Sequence, residues 1–173
     1  MSTVTVSNPK SPSVAGEFEQ IFQEHSRLIY RTAFGVTGSP EDAEDILQTI
    51  FLRLLRREFP PDLKKNPRGY LYRAAVNLSL DTMRARRRQV AVDADSLDLL
   101  GALDPKTDDE LHSRLYAAMA ELQPEAAETL ILRHIHDYSD AEIAQMLGTS
   151  RTVVAVRLFR SRARLKRILR RKS

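Results

Sequence analysis

The sequence predicts an all-α protein of two small helical domains, and three observations carry that expectation. Apolar residues recur at three- and four-residue spacing along most of the chain, no stretch keeps the alternation of a half-buried strand, and Gly and Pro fall mainly at breaks. The periodicity lapses between Gln89 and Asp109, where acids gather around Gly101 and Pro105. This divides the chain into a polar tail over 1–15, a first domain over 16–88, a flexible acidic linker over 89–110 and a second domain over 111–173.

In the first domain a helix is expected from about Glu17 to Val36, with Phe18, Ile21, Phe22, Leu28 and Ile29 along one side and an end near Gly35 and Gly38. Ser39 can cap the next helix, Pro40 suits its first position, and Glu41 and Asp42 favour the positive end of its dipole. In that helix Ala43, Ile46, Leu47, Ile50 and Leu54 fill a core, while Asp45, Gln48, Phe51, Leu52 and Leu55 widen the apolar area around a polar edge. Such a face suits a partner, and equally a helix sandwiched between neighbours.

A third helix is expected from just after Asn66 and Pro67 to about Arg88. Leu71, Ala75 and Leu78 can face inward, which leaves Arg73, Asn77, Asp81, Arg84 and Arg88 as a polar, basic stripe with Tyr70 and Tyr72 at its start. Aromatic rings beside arginines suit unstacked bases held by their phosphates. Core tyrosines beside a solvated face give a similar pattern.

The second domain opens with a helix over Leu111 to Leu122, and Pro124 starts another that runs to about Asp137. Ser139 and Glu142 then have the spacing of a capping box, Ile143, Ala144 and Leu147 face inward, and Gly148 supplies a left-handed turn. Ser150 caps a final helix that buries Val154, Leu158, Ser161 and Leu165. Helix, glycine turn and capped helix make a helix-turn-helix, with Arg151, Thr152, Ala155, Val156 and Phe159 on its outer surface. Arg157, Arg160, Arg162, Arg164 and Arg167 lie further along and suit phosphates. A helical hairpin with a solvated basic tail is the plainer alternative.

Charge distribution supports a nucleic-acid partner more than the net charge of +4 does. Ten basic residues and no acid lie between Arg151 and Lys172, and Arg84, Arg86, Arg87 and Arg88 form a second cluster. Cysteine is absent, which removes disulfides, thiolate metal sites and thiol chemistry. No signal-peptide core and no membrane-spanning apolar run are visible, so a cytoplasmic protein is expected.

Three stretches resemble the extracytoplasmic-function sigma factors of bacterial RNA polymerase, members of the sigma-70 family. They are SPEDAEDILQTIFLRLLR, NPRGYLYRAAVNLSLDTMRARRR and YSDAEIAQMLGTSRTVVAVRLFRSRARLKRIL, in the order of regions 2 and 4 of that family. The resemblance implies promoter recognition without enzymatic activity or cofactor. It assigns Asp42, Asp45, Gln48, Phe51 and Leu52 to the clamp of the polymerase largest subunit, and region 4 to the flap of the second subunit. Tyr70, Tyr72, Arg73, Asn77, Asp81, Arg84, Arg87 and Arg88 match the helix that recognises and melts the minus-10 element. The loop from Phe59 to Arg68, with Asp62, Lys64 and Asn66, matches the one that captures a flipped base. Ser150, Arg151, Thr152, Ala155, Arg157, Arg160 and Arg162 match the reader of the minus-35 element. An anti-sigma partner is a common companion.

The chain also departs from the family. Tyr70 stands where a tryptophan is usual, Ala127 where an arginine is common, and Val153-Val154-Ala155-Val156 replaces a Thr-Val-Lys-Ser run in the reading helix. Upstream readout is therefore expected to lean on thymine methyls or DNA shape. The acidic linker could thread a basic channel of the polymerase, or fold back on the basic helices of the free protein. A polymerase-independent helix-turn-helix regulator explains the C-terminal half equally well. A metal enzyme using Asp42 with Asp45, or His134 with His136, lacks a third ligand.

Overall fold

The computed structural model describes residues 14–56, 59–96 and 114–171, and all regular structure among them is helical. The helices are α1 (Val14–Thr37), α2 (Pro40–Leu55), α3 (Pro61–Lys65), α4 (Pro67–Ser96), α5 (114–119), α6 (Pro124–His134), α7 (Asp140–Leu147) and α8 (Arg151–Arg171). Of the tail expected over 1–15, the last two residues already belong to α1, and 1–13 lie outside the described residues, as do residues 97–110 of the linker.

The first bundle follows its sequence signals closely. Ser39 caps α2 by accepting from the Asp42 amide at 3.2 Å, with Pro40 in the first turn. Ile29 and Ala33 of α1, Ala43, Ile46 and Ile50 of α2, and Leu71 and Ala75 of α4 then close one core. Each large aliphatic side chain buried there contributes about 1.5–3 kcal/mol. The stretch expected to be a loop contains a short helix instead. Pro61 occupies the first turn of α3 and Leu63 anchors it in the core, so Phe59 is packed against the bundle and does not stand free.

Helix α4 does not stop at Arg88. Between Gln89 and Ser96 the sequence holds neither glycine nor proline, nothing terminates the helix, and the first eight residues assigned to the linker are helical. Asn66 sets the other end by accepting from the Gly69 amide at 2.9 Å.

The second unit is likewise built from its caps. Ser139 and Glu142 form a reciprocal capping box at α7, Gly148 adopts φ 65° in the turn, and the Ser150 hydroxyl accepts from Val153 at 3.2 Å. Glycine, with no Cβ, adopts that left-handed backbone at little steric cost. Val154, Leu158, Ser161 and Ile168 are the buried residues of α8; Leu165, expected in that set, is partly buried and packs on the core edge. The helix continues one turn past it, and Ile168 closes the far end.

The two units are not independent bodies on a tether. Val36, Tyr72, Val76, Leu80 and Met83 of the first unit belong to the same buried cluster as Leu130, Ile131, Ile143, Val154 and Leu158 of the second. Helix α4 thus has two apolar faces, one through Leu71 and Ala75 and the other through Tyr72, Val76, Leu80 and Met83 at steps of four, four and three residues.

Candidate nucleic-acid and polymerase interface

Three surfaces gather the residues singled out by the sequence. The first is an open groove of about 470 Å³ between α3 and α4, lined by Asp62, Lys65, Asn66, Tyr70, Arg73, Ala74 and Asn77. It brings members of the flipped-base stretch and of the minus-10 set to one opening. Lys65, which the sequence reading passed over, joins them because α3 turns it to the groove; its place beside Lys64 was the available signal. Phe59 is half-buried against the edge of the core, and Lys64 and Arg68 are exposed, and none of the three lines the groove.

The rest of the minus-10 set is divided. Tyr72 is fully buried, which corrects its assignment as a surface stacking platform. Its hydroxyl donates to the Glu128 carbonyl at 2.5 Å, and burial pushes its pKa well above the ordinary value. Arg73 donates to the Leu147 carbonyl at 2.6 Å and its Nε lies 3.8 Å from the Glu128 carboxylate. Arg84 donates to the carbonyls of Ala120 and Leu122 at 3.1 and 3.4 Å and pairs with Asp81, while Arg87 reaches the Ala117 carbonyl and Glu121 at 3.3 Å each. Asn77, Asp81 and Arg88 are exposed.

Burial raises the Glu128 pKa, with Arg73 and Arg157 pulling it back down. The carboxylate is a shared counter-charge for one arginine from each unit. His136 is held neutral, its pKa lowered to about 4 by burial and then by Arg31 and Arg68, and it shares a 2.9 Å hydrogen bond with Thr32 of α1. These contacts give His136 a packing role. Among the described residues no group of three or more His, Asp or Glu is arranged to hold a metal ion.

The second surface is the outer side of α8. Ser150, Arg151, Thr152, Ala155, Arg160 and Arg162 are exposed, and Arg157 is half-buried near Glu128. Val153 and Val156 are also exposed, and Phe159 is 75% exposed. An apolar stripe therefore runs through a helix that carries no acid.

The third surface is the outer side of α2, where Asp45, Gln48, Leu52 and Leu55 are exposed at helical spacing. Two of the five residues assigned to it belong elsewhere. Phe51 is 4% exposed and packs edge-on against Phe18 and Phe22 of α1, and Asp42 is paired with Arg86 of α4. The aromatic cluster on α1 captures Phe51 because those two phenylalanines lie four residues apart on one helix face.

A bundle with a polar groove, coupled to a helix-turn-helix whose second helix is basic and carries no acid, has the form of a nucleic-acid-binding protein. Comparison with known proteins gives the class. The Sigma-70 region 2 family matches residues 21–89 and the Sigma-70 region 4 family matches residues 112–165. The chain is 31% identical over 159 residues to the ECF RNA polymerase sigma factor SigM of Mycobacterium tuberculosis, covering 90% of this chain and 80% of that one. It is 31% identical over 158 residues to SigE of Mycolicibacterium smegmatis, covering 86% of this chain and 60% of that one. Two solved structures share the fold. The sigma factor RpoE with the anti-sigma factor NepR from Bartonella quintana has a TM-score of 0.50 at 21% identity, covering 89% of this chain and 97% of that one. CnrH in complex with the cytosolic domain of CnrY has a TM-score of 0.52 at 22% identity, covering 92% and 94%.

The chain belongs to the extracytoplasmic-function RNA polymerase sigma factors of the sigma-70 family.

Proposed function

We propose that the chain directs core RNA polymerase to promoters through two DNA elements, region 4 reading the minus-35 element and region 2 melting and holding the minus-10 element. The α3–α4 groove carries this reading, because it collects Asp62, Asn66, Tyr70, Arg73 and Asn77 around one opening. A base flipped from the stack can lie against Tyr70 while Asn66, Asn77 and Asp62 offer hydrogen bonds to its edge. Lys65, Arg73, Arg87 and Arg88 supply positive charge for the strand that follows.

On α8, Arg151, Thr152 and Ala155 face the base edges, and Arg157, Arg160 and Arg162 serve the phosphates. Val153 and Val156 add apolar contact suited to thymine methyls. The α2 face of Asp45, Gln48, Leu52 and Leu55 docks on the clamp of the polymerase largest subunit, and region 4 docks on the flap of the second subunit. The RpoE and CnrH structures hold anti-sigma proteins, and the exposed Val156 and Phe159 offer an anti-sigma protein an apolar contact on region 4. The assignment is non-enzymatic and needs no cofactor. It places the protein in the cytoplasm, where core polymerase works.

A regulator that works without polymerase accounts for α7 and α8 but leaves the groove and the α2 face without a task. The two are separated by mixing the purified chain with core polymerase. Stoichiometric association, weakened by Leu52→Arg with the helical fold intact, is expected. A chain that binds duplex DNA and never core polymerase is the other class of protein.

A further inference from the structure

We infer that the apolar cavity enclosed by α1, α5, α6 and α8 is a binding site for a compact hydrophobic carboxylic acid, its body filling the cavity and its carboxylate held by Arg162 at the mouth. The cavity measures about 220 Å³, and its walls include Val36, Met119, Leu130, Ile131 and Leu165. It lies apart from the α3–α4 groove and shares no residue with it.

Size is the first observation. Protein interiors leave few voids larger than a water molecule, because the walls of a void forfeit their dispersion contacts. A dry cavity of about 150 Å³ lined by aliphatic and aromatic side chains takes up benzene, so this one has room for a body about half as large again. Its surroundings are not slackly packed. A Cβ added at Gly35 would lie 2.6 Å from Ile135 Cδ1, and one at Gly38 2.9 Å from Tyr116, so α1 meets the second unit tightly at both glycines. Met119 adds an adaptable wall, since an unbranched thioether repacks around bodies of differing shape.

The mouth is the second observation. His134 and Arg162 are the two exposed residues of the lining, and the others are buried or half-buried. Among the described residues Arg162 has no carboxylate within ion-pair distance, whereas the neighbouring Arg133 is paired with Asp140. Partial burial lowers the pKa of His134, Arg162 and Arg133 lower it further, and Asp137 opposes them. The mouth therefore offers an anion one uncommitted guanidinium fork beside a neutral imidazole. A single positive charge matches a monoanion, and the planar fork matches a carboxylate. An apolar chamber with a few convergent polar groups is the usual form of a small-molecule site.

Arg162 also belongs to the phosphate set of the function proposed above. On that reading, a bound acid removes one cation from the minus-35 contact, and promoter binding weakens while the acid is present.

The test titrates the full chain calorimetrically with 2-naphthoate and with its uncharged isostere, 2-naphthamide. Saturable one-to-one binding of the acid at sub-millimolar concentration is expected. The amide is expected to bind about three- to ten-fold more weakly, the lower end reflecting the exposure of Arg162. Arg162→Gln should bring the acid down to the level of the amide, and Arg162→Lys should recover part of the difference. Leu165→Trp and Met119→Trp fill the cavity from two different helices, and either one, with helical content retained, is expected to lose both compounds. Because Arg162 is exposed, its variants decide the matter even where a filled cavity unfolds the chain.

No saturable binding at millimolar 2-naphthoate overturns the site, as does undiminished binding to a folded, filled variant. Equal affinity for acid and amide overturns the carboxylate. Saturating 2-naphthoate is also expected to weaken promoter binding by the reconstituted holoenzyme several-fold. Acid bound to the chain with promoter affinity unchanged would remove Arg162 from the phosphate set, which overturns that part of the function reading and leaves the site standing.

Discussion

Tyr72 of α4 and Glu128 of α6 stand 56 residues apart in sequence and are joined by a 2.5 Å hydrogen bond from the tyrosine hydroxyl to the glutamate main-chain carbonyl. The bond fixes the point at which the two units share a core, since Tyr72 is fully buried and its ring lies edge-on to His136. Tyr72→Phe is expected to cost about 1 kcal/mol for the lost bond, and Tyr72→Ala about 3–5 kcal/mol for the cavity. Denaturant unfolding measures both. A cost below about 1 kcal/mol for the alanine variant would show that the ring is not in a core.

His136 makes the same region sensitive to acid. Its pKa of about 4 lies below the ordinary 6.5, with burial as the main cause and Arg31 and Arg68 adding to it. The unfolded state therefore binds the proton more readily, and stability is fully present above pH 6.5 and falls as pH drops from 6.5 towards 4. His136→Gln, which keeps a polar partner for Thr32, is expected to flatten that part of the stability profile. An unchanged slope between pH 6.5 and 4 would contradict the buried, neutral imidazole.

The capping box of α7 holds the turn from which the reading helix springs. The Ser139 hydroxyl and amide meet the Glu142 carboxylate at 2.7 Å each, and these bonds lower the Glu142 pKa. Ser139→Ala is expected to cost about 0.5–2 kcal/mol in unfolding free energy. With a lowered carboxylate, the box contributes above the ordinary pKa of 4.5 and fades as pH falls below it. Urea titrations at pH 7 and pH 3 should therefore give a smaller difference between wild type and variant at the lower pH.

Thymine readout by Val153 and Val156 can be isolated chemically, because uracil lacks only the methyl group. Replacing thymines of the minus-35 element by uracil one at a time is expected to weaken holoenzyme binding at one or more positions. Val156→Ala is expected to abolish the difference between the two bases there. Equal binding of every uracil-substituted promoter would assign specificity to DNA shape or to Arg151 and Thr152 alone.

Local signals were the most legible part of the sequence. Ser39 with Pro40, and Ser139 with Glu142, mark their helix starts by side-chain chemistry that acts within four residues. The outer face of α8 was legible for the same reason, because burial of Val154 and Leu158 dictates which neighbours point away. Tyr72 and Phe51 were misplaced because their partners are distant in sequence. Phe51 is claimed by Phe18 and Phe22, and Tyr72 by α6 and the α6–α7 turn, neither of which periodicity along one helix can reveal. The stripe from Tyr72 through Val76 and Leu80 to Met83 was nevertheless present. Two apolar faces on α4 announce two cores, and reading only the Leu71 face left the second unit without a dock.

Promoter opening by the reconstituted holoenzyme tests the central claim most directly. Core polymerase, the full chain and a promoter mapped from its overproduction are probed with permanganate, which oxidises unpaired thymines. Reactive thymines around the minus-10 element, present only when the chain is added and lost when Asn77→Ala and Tyr70→Ala are combined, are the expected result. A promoter bound by core polymerase and chain together that stays fully duplex would contradict the account.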